Sequence, residues 1–366
     1  MKIGVLCYPT YGGSGVVATE LGKVMAERGH EIHYINQQLP VRLQGEGFSS
    51  RIFYHEVALP NYPLFAHPPW TFALAGRVVQ VIKEYGLDLL HAHYAVPHSL
   101  VAVLARQITG CVSVVTTLHG SDITMVGSAP DLKDITRYVI EASDVVTAVS
   151  HDLARETVKL LGVNKEIHPV YNFVDLEHYR RREATPRSVY ATDDQAVLTH
   201  ISNFRPVKRL RDVVEIFAGV CRQRSAVLLL IGDGPDRCAA LTRAQELGVA
   251  SQVKFLGQQQ EIVPLLSATD LFLLPSEKES FGLAALEAMA CGVPVVGSKV
   301  GGLPEVVGPG GILCPAGDVK EMTAGALTIL ANLLPWRQQA REQAEKFSEP
   351  RWVDRYEGLY RQVLSR

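Results

Sequence analysis

The sequence predicts an α/β protein built from two doubly wound parallel sheets, each a Rossmann-like domain. Three observations predict it. Short β-rich runs alternate with helix-period patterns along most of the chain. The alternation breaks once, at the polar stretch LEHYRRREATPRSVYATDDQ from Leu176 to Gln195, and then starts again. The glycine-, hydroxyl- and charge-rich segments fall at the carboxyl ends of the predicted strands, where open parallel sheets bind ligands.

The first series opens with the strand KIGVLCY (2–8) and the helical pattern GVVATELGKVMAERG (15–29), which closes on a glycine. Further strands are expected at EIHYIN (31–36), LDLLHAH (87–93), VSVVTTLH (112–119), DVVTAVS (144–150) and EIHPVYN (166–172). The second series has strands at AVLTHIS (196–202), AVLLLIGDG (226–234), VKFLG (253–257), LFLLPS (271–276) and PVVGSK (294–299). From Asp318 onward the pattern is mostly helical. This sets domains at 1–176 and 177–349, facing a cleft.

Composition narrows the function. At 366 residues, two domains are favoured over one. With 47% hydrophobic and 20% charged residues the chain reads as a soluble globular protein. A net charge of -2 gives no basic excess for nucleic acid and no acidic tail. No run approaches the about 18 apolar residues of a membrane span, and the apolar run after Met1 is too short for a signal peptide. Cys7, Cys111, Cys221, Cys238, Cys291 and Cys314 form no CxxC pair and sit mostly among apolar neighbours. Buried free thiols in a reducing cytoplasm are expected.

Four loops carry the candidate chemistry. In PTYGGSGVVATELG, Gly12 and Gly13 follow the first strand, and Ser14 and Gly15 open a helix. Small residues allow close backbone approach, and helix-start amides attract a phosphate or carboxylate. An ordinary βα turn is the competing reading. The G-x-G-x-x-A match at Gly13 lacks the acidic residue a dinucleotide needs after strand two, where Asn36 and glutamines stand. No GxxxxGK[ST] is present. In HAHYAVPHS, His91, His93 and His98 raise a metal site, but no acidic ligand is near. Tyr94 is the better candidate for substrate contact there. In TTLHGSDIT, the residues Thr116, Thr117, His119, Ser121 and Asp122 cluster at a strand end. In SNFRPVKRLRD, Arg205, Lys208 and Arg209 precede a helix. Surface charge is the usual reading of such cations, but at a strand end they suit a diphosphate.

The fifth segment, SEKESFGLAALEAMACGVPVV (276–296), places Glu279 before a helix expected from about Ser280 to Ala290 and Glu287 inside it. Eight residues of helix rise roughly 12 Å. That exceeds the roughly 5–9.5 Å between the carboxylates of a glycosidase. It suits two ends of one extended ligand, with the amides of Phe281, Gly282 and Leu283 between them. A sugar nucleotide fits that description.

EKESFGLAALEAMACGVPVVGSKVGGLPEVV resembles the E-x7-E signature of the family 4 retaining glycosyltransferases, which have the GT-B fold. GGSG, HGSD, SNFRPVKR and LLIGDGP match the same family in the same order, over essentially the whole chain. CYPTYGGSGVVATELGK, HAHYAVPHS and TTLHGSDIT are most similar to members that pass N-acetylglucosamine from UDP-N-acetylglucosamine to L-malate in bacillithiol biosynthesis. The resemblance implies retention at the anomeric carbon and a C-terminal helix, 350–366, completing the first domain. Glu279 is then expected on the donor sugar hydroxyls and Glu287 on the ribose. Arg205 and Lys208 are expected on the diphosphate, Gly13 and Ser14 beside the donor, and Gly257 near the uracil. His119 is expected beside the sugar and acceptor, and His119, Glu279, Arg205 and Lys208 are the expected catalytic residues. Ser14, Tyr94, Thr117 and Asn172 are candidates for the acceptor. Asn203 stands where many members carry Arg, so Arg205 must supply that charge. No metal-binding DxD stands at a strand end, and GDGPD (232–236) reads as a βα turn, so no metal and no cofactor is expected.

A cytoplasmic enzyme, possible as a homodimer, is implied, with no nucleic-acid partner and no stable membrane association. A family member with a sugar or lipid acceptor is the alternative, since the aromatic, Pro-rich PNYPLFAHPPW (60–70) offers a membrane-contacting loop. A non-catalytic nucleotide-sugar binding module and a UDP-sugar epimerase are further alternatives.

Overall fold

The structure is a computed structural model, and it describes residues 1–10, 12–44, 49–59, 67–182 and 187–365. The chain divides into two compact units, Met1–Asn172 with Pro350–Arg366, and Phe173–Glu349. Most of PNYPLFAHPPW, residues 60–66, lies outside the described residues.

Unit 1 holds a sheet of seven parallel strands. They are β1 (Lys2–Leu6), β2 (Glu31–Asn36), β3 (Ile52–Glu56), β4 (Leu89–His93), β5 (Ser113–Leu118), β6 (Val145–Ala148) and β7 (Ile167–Pro169). Their spatial order is β3-β2-β1-β4-β5-β6-β7, so the winding reverses between β1 and β4. Helices α1 (Gly13–Glu27), α2 (Trp70–Tyr85), α3 (Leu100–Thr109), α4 (Pro130–Ala142) and α5 (His151–Leu161) make the crossovers. The strands read as near-continuous apolar runs because a sheet covered on both faces buries both side-chain rows. Leu6, Leu74, Val78, Leu90, Val101 and Val114 form one such buried layer. Sequence reading missed β3. Its RIFYHEV is short and half polar, and it pairs with β2 as an edge strand.

Unit 2 holds six parallel strands: β8 (Ala196–Ile201), β9 (Ala226–Ile231), β10 (Val253–Gly257), β11 (Leu271–Leu274), β12 (Val295–Ser298) and β13 (Gly311–Cys314). Their order is β10-β9-β8-β11-β12-β13, reversing between β8 and β11. The edge strand β13, four residues beginning with glycine, was also not read from the sequence. Helices α6 (Leu210–Cys221), α7 (Arg237–Glu246), α8 (Val263–Ala268), α9 (Leu283–Ala290), α10 (Leu303–Val307), α11 (Val319–Ala331) and α12 (Leu333–Glu345) belong here. Leu198, Phe217, Leu228, Leu273, Met322 and Ile329 are fully buried in its core.

The chain leaves unit 1 after Asn172, four residues before the polar stretch that suggested the break. Val174 forms a parallel bridge with Ser348, and its N–H donates to the Phe347 carbonyl (3.0 Å), so the outgoing and returning strands are tied together. Residues 176–182 are not a free linker. Tyr179 is buried, and Arg341 donates to the carbonyls of Leu176 and Tyr179. The last helix, α13 (Glu349–Leu364), packs in unit 1 and buries Val353, Tyr356, Leu359 and Tyr360. Arg28 of α1 pairs with Asp354 and Glu357 on it. Of the cysteines, Cys7, Cys291 and Cys314 are buried, while Cys111 and Cys238 are exposed, so the expected burial is only partial. Among the described residues no helix is long and apolar enough to cross a membrane.

Unit 1 buries an unusual number of neutral imidazoles. Burial lowers His33 and His98 to about 4, and His91 and His119 to about 3. In unit 2 His200 is lowered to about 4. Folded values lie below the unfolded value of 6.5, so the unfolded chain binds more protons between them. Stability is complete above 6.5 and is lost as pH falls from there toward 4. Each fully buried histidine contributes a loss of roughly 2 kcal/mol between pH 6.5 and 5. Unit 1 is therefore expected to open first on acidification. Hydrogen exchange at pH 7 and pH 5 checks this: protection should fall in β4 and β5 well before β8 and β9, and the reverse order contradicts it.

Candidate active site

In unit 2 the candidate residues flank the switch point between β8 and β11. β8 runs out into Ser202-Asn203-Phe204, then Arg205 and a 3-10 turn at Pro206–Lys208. This backbone is clamped from the side. Phe204 is buried at φ 42, and its carbonyl accepts from Asp236 N (3.0 Å). Gly232, at φ 118, packs so closely that a Cβ would strike the Ser202 carbonyl. The GDGP segment thus supports the cationic loop.

Lys208 Nζ lies 2.7 Å from Glu279 Oε2, with both side chains mostly buried. Arg205 is exposed and has no ion pair among the described residues. Arg209, grouped with them by sequence, is turned away: its Nε donates to Asp212 Oδ2 (2.7 Å) at the start of α6.

The helix expected from Ser280 starts instead at Leu283, because Gly282 takes the left-handed conformation (φ 97) as its N-cap. Glu279 therefore lies in the loop, and its separation from Glu287 is not a helical rise of about 12 Å. The loop is held by Gly301 and Gly302. Gly302 N donates to the Glu279 carbonyl (2.9 Å), and Gly301, at φ 54, passes so near that a Cβ would collide with that carbonyl. No side chain caps α9, so its first N–H groups are not spent on a cap. Phe281 is buried edge-on against Phe347 (5.8 Å). Glu287 sits just over one turn into α9, buried, with Oε1 accepting from Tyr179 Oη (2.9 Å). Tyr179 was missed because it lies in the stretch that looked like a linker. Gly257 (φ 66) closes β10, and its carbonyl accepts from Gly232 N (2.8 Å).

In unit 1 the candidates flank the switch point between β1 and β4. Gly12 N-caps α1 without a side-chain cap, Gly13 is exposed and Ser14 half-buried. Tyr94, just past β4, has φ 96, a costly conformation for a bulky residue. Its hydroxyl bonds Ser121 Oγ (2.6 Å), its ring stacks on His119 (5.7 Å), and Tyr8 meets it edge-on (5.2 Å). His119 Nε2 lies 2.9 Å from His93 Nδ1. Asp122 is fully buried and accepts from the backbone N–H of Ala95 (3.1 Å), His119 (3.1 Å) and Gly120 (2.7 Å). Burial pushes it up to about 6 against those bonds.

Thr117 lies behind this group. Its hydroxyl is buried among His91 Nε2 (2.7 Å) and Thr147 Oγ1 (2.7 Å), and its carbonyl accepts from Tyr94 N (3.0 Å). Asn172 is buried, with an Oδ1 that has no partner among the described residues. No hydrogen bond links Ser14 or Asn172 to Tyr94 and His119 among the described residues. His91 is occupied on its far side by Tyr360 Oη (2.7 Å) of α13. Among the described residues no group of three or more His, Cys, Asp or Glu is placed to hold a metal ion.

Two family models match the chain, Glycosyltransferase Family 4 over residues 11–178 and Glycosyl transferases group 1 over residues 181–347. The chain is 48% identical to the N-acetyl-alpha-D-glucosaminyl L-malate synthase of Bacillus anthracis, over 100% of this chain and 97% of that protein. The chain belongs to glycosyltransferase family 4. A second member, the D-inositol 3-phosphate glycosyltransferase of Saccharomonospora viridis, is 32% identical over 76% of this chain and 70% of its own. The fold is that of the GT-B glycosyltransferases. Sucrose-phosphate synthase from Thermosynechococcus elongatus superposes with a TM-score of 0.82 at 22% identity, covering 100% and 99% of the two chains. Anabaena Alr3699/HepE in complex with UDP gives 0.82 at 21%, covering 99% of each.

Because Gly301 seats the Glu279 backbone, Gly301→Ala is expected to move that carboxylate while leaving Glu287 in place. Strain of about 1–3 kcal/mol is expected in unit 2. Sugar transfer should fall at least tenfold while affinity for UDP alone stays within about threefold. Parallel turnover and UDP titration check it; equal loss of both contradicts the separate roles.

Proposed function

We propose that the chain is a retaining transferase that moves N-acetylglucosamine from UDP-N-acetylglucosamine to the hydroxyl of L-malate, the first step of bacillithiol biosynthesis. The observation that carries the donor half is the Lys208–Glu279 pair at the switch point of unit 2. A cation for phosphate and a carboxylate for hydroxyls stand side by side, at the edge where such sheets bind ligands. The acceptor half rests on the full-length 48% identity to a relative that bears that name.

With donor bound, Lys208 exchanges part of its contact with Glu279 for the β-phosphate. Glu279 then accepts from sugar hydroxyls, and Glu287 from the ribose together with Tyr179. Arg205 supplies a second charge, and the amides of Phe281, Gly282 and Leu283 face the same anion. Gly13 borders the donor, and Gly257 the base. In transfer, the bond from the anomeric carbon to the β-phosphate oxygen breaks, and a bond to the malate hydroxyl forms on the same face. The hydroxyl proton passes to the departing phosphate oxygen. Charge grows on that phosphate, so fixed cations and amides favour the transition state over the ground state. Arg205 and Lys208 thus perform the neutralisation that a metal performs elsewhere, and the reaction runs without one.

Ser14 and Tyr94 bind malate carboxylates, and Asn172 presents a polar amide to the acceptor. Thr117 acts behind Tyr94, since its own hydroxyl is spent. The protein works in the cytoplasm without stable membrane association, as a homodimer.

UDP release from UDP-N-acetylglucosamine across small acceptors tests the reading. L-malate should be glycosylated, and D-malate poorly, because inverting one centre swaps hydroxyl and carboxylate. A product with a hexose or lipid and none with L-malate assigns the chain a different acceptor. In the same assay turnover should survive excess chelator. Arg205→Ala should cost about tenfold to a hundredfold, the value of a charge-assisted hydrogen bond. Chelator-sensitive turnover restored by magnesium or manganese contradicts the metal-free reading.

A further inference from the structure

We propose that His93 is a positioning residue that fixes the tautomer of His119, so that His119 offers a permanent N–H donor at Nδ1 and never a base there. The proposal rests on the reading of His119 as a site residue and says which chemistry it can do.

The geometry points to it through the ring nitrogens of one cluster. His93 Nδ1 and His119 Nε2 are 2.9 Å apart, so a single proton is shared between two rings. Both are neutral, because burial and neighbouring imidazoles lower their affinity for protons. Two arrangements are open. In one, His93 carries the proton on Nδ1 and donates to His119, leaving His93 Nε2 a bare lone pair. In the other, His119 donates from Nε2, and His93 must carry an N–H on Nε2. His93 is fully buried and its Nε2 has no partner among the described residues. The choice is therefore between an orphaned acceptor and an orphaned donor, and orphaned buried N–H groups are the rarer of the two.

His98 shows how this cluster resolves the choice. Its Nδ1 lies 2.8 Å from the His93 carbonyl, which can only accept, so His98 carries its proton on Nδ1. Its Nε2 is left bare, buried and without a partner. The same state at His93 makes Nδ1 the donor. His119, a half-buried residue, then accepts at Nε2 and holds its proton on Nδ1, for which no partner is found among the described residues. The hydrogen bond at one ring nitrogen sets the chemistry of the other. A neutral N–H there can donate to a hydroxyl oxygen or a carboxylate, and it cannot take the proton of an acceptor hydroxyl. The base must come from elsewhere, in keeping with the departing phosphate.

The test is spectroscopic and needs no substrate. Two-bond proton–nitrogen correlation on the full chain labelled with 15N-histidine distinguishes the tautomers, and His119→Asn assigns the signals. The expected wild-type pattern for His119 is N–H at Nδ1; an Nε2–H pattern overturns the proposal. His93→Leu should release His119 Nε2 and shift the pattern toward Nε2–H. His93→Asn keeps an amide donor near the Nδ1 position and should restore it, which also serves if the leucine variant fails to fold. Persistence of the Nδ1–H pattern in His93→Leu overturns the role of His93. With the transfer assay, His93→Leu should lower turnover by about tenfold, and His93→Asn should recover most of it. UDP affinity should stay unchanged in both. If L-malate is not the acceptor, the tautomer result stands by itself.

Discussion

Every strand in both sheets runs in the same direction, and the placement of the candidate site depends on that constraint. Parallel pairing puts all strand carboxyl ends of a unit on one edge, and the reversal of winding opens that edge at one position. Chain segments that are far apart in sequence then meet there. Lys208 and Glu279 are 71 residues apart and form one ion pair. Tyr94 and Ser121 are 27 apart and share a hydroxyl contact. The same constraint explains the crowding by glycine. Loops that leave neighbouring strand ends must pass each other at backbone distance, as Gly301 passes Glu279 and Gly232 passes Ser202.

Much of this was legible in the sequence because its signals are local. Periodicity gave eleven strands of these sheets, and loop composition picked out the segments after β1, β4, β5, β8 and β11. What was not legible depends on partners. β3 and β13 are short edge strands whose state is decided by pairing, not by their own apolar content. The α9 boundary turned on Gly282 acting as a left-handed N-cap rather than as a helix residue, which moved Glu279 off the helix. Tyr179 looked like linker because burial of a polar-flanked tyrosine is visible only once Glu287 stands opposite. Arg209 looked like a third phosphate ligand because sequence does not reveal that Asp212, three residues on, captures it. Local composition also could not show that the Thr117 hydroxyl is spent inside the protein.

The two units differ in the polar groups buried near their candidate residues. Unit 2 pairs ions: Lys208 with Glu279, and Asp270 with both Arg187 and Arg337. Unit 1 instead buries neutral imidazoles and hydroxyls in series, from Tyr360 through His91 to Thr117 and Thr147. Tyr360 Oη lies 2.7 Å from His91 Nδ1 and hydrogen-bonds it. His91 Nε2 meets the Thr117 hydroxyl, which lies against Thr147 and, at 3.5 Å, Tyr356 Oη of the C-terminal helix. The helix α13, which belongs to unit 1, thus contributes Tyr356 and Tyr360 to the series.

That difference bears on which cation acts during transfer. The charge of Lys208 is compensated by Glu279, whereas Arg205 is exposed and has no ion pair among the described residues. If Lys208 takes the donor phosphate as proposed, that phosphate would compete with a carboxylate 2.7 Å away, and part of its binding energy would go into that exchange. In the proposed reading the sugar hydroxyls would supply that carboxylate with new donors, and Lys208 would couple phosphate binding to the readiness of Glu279 for the sugar. On that reading UDP alone would bring the phosphate but not the sugar hydroxyls, leaving Glu279 with fewer donors, and the arrangement would favour the intact sugar nucleotide over its spent product.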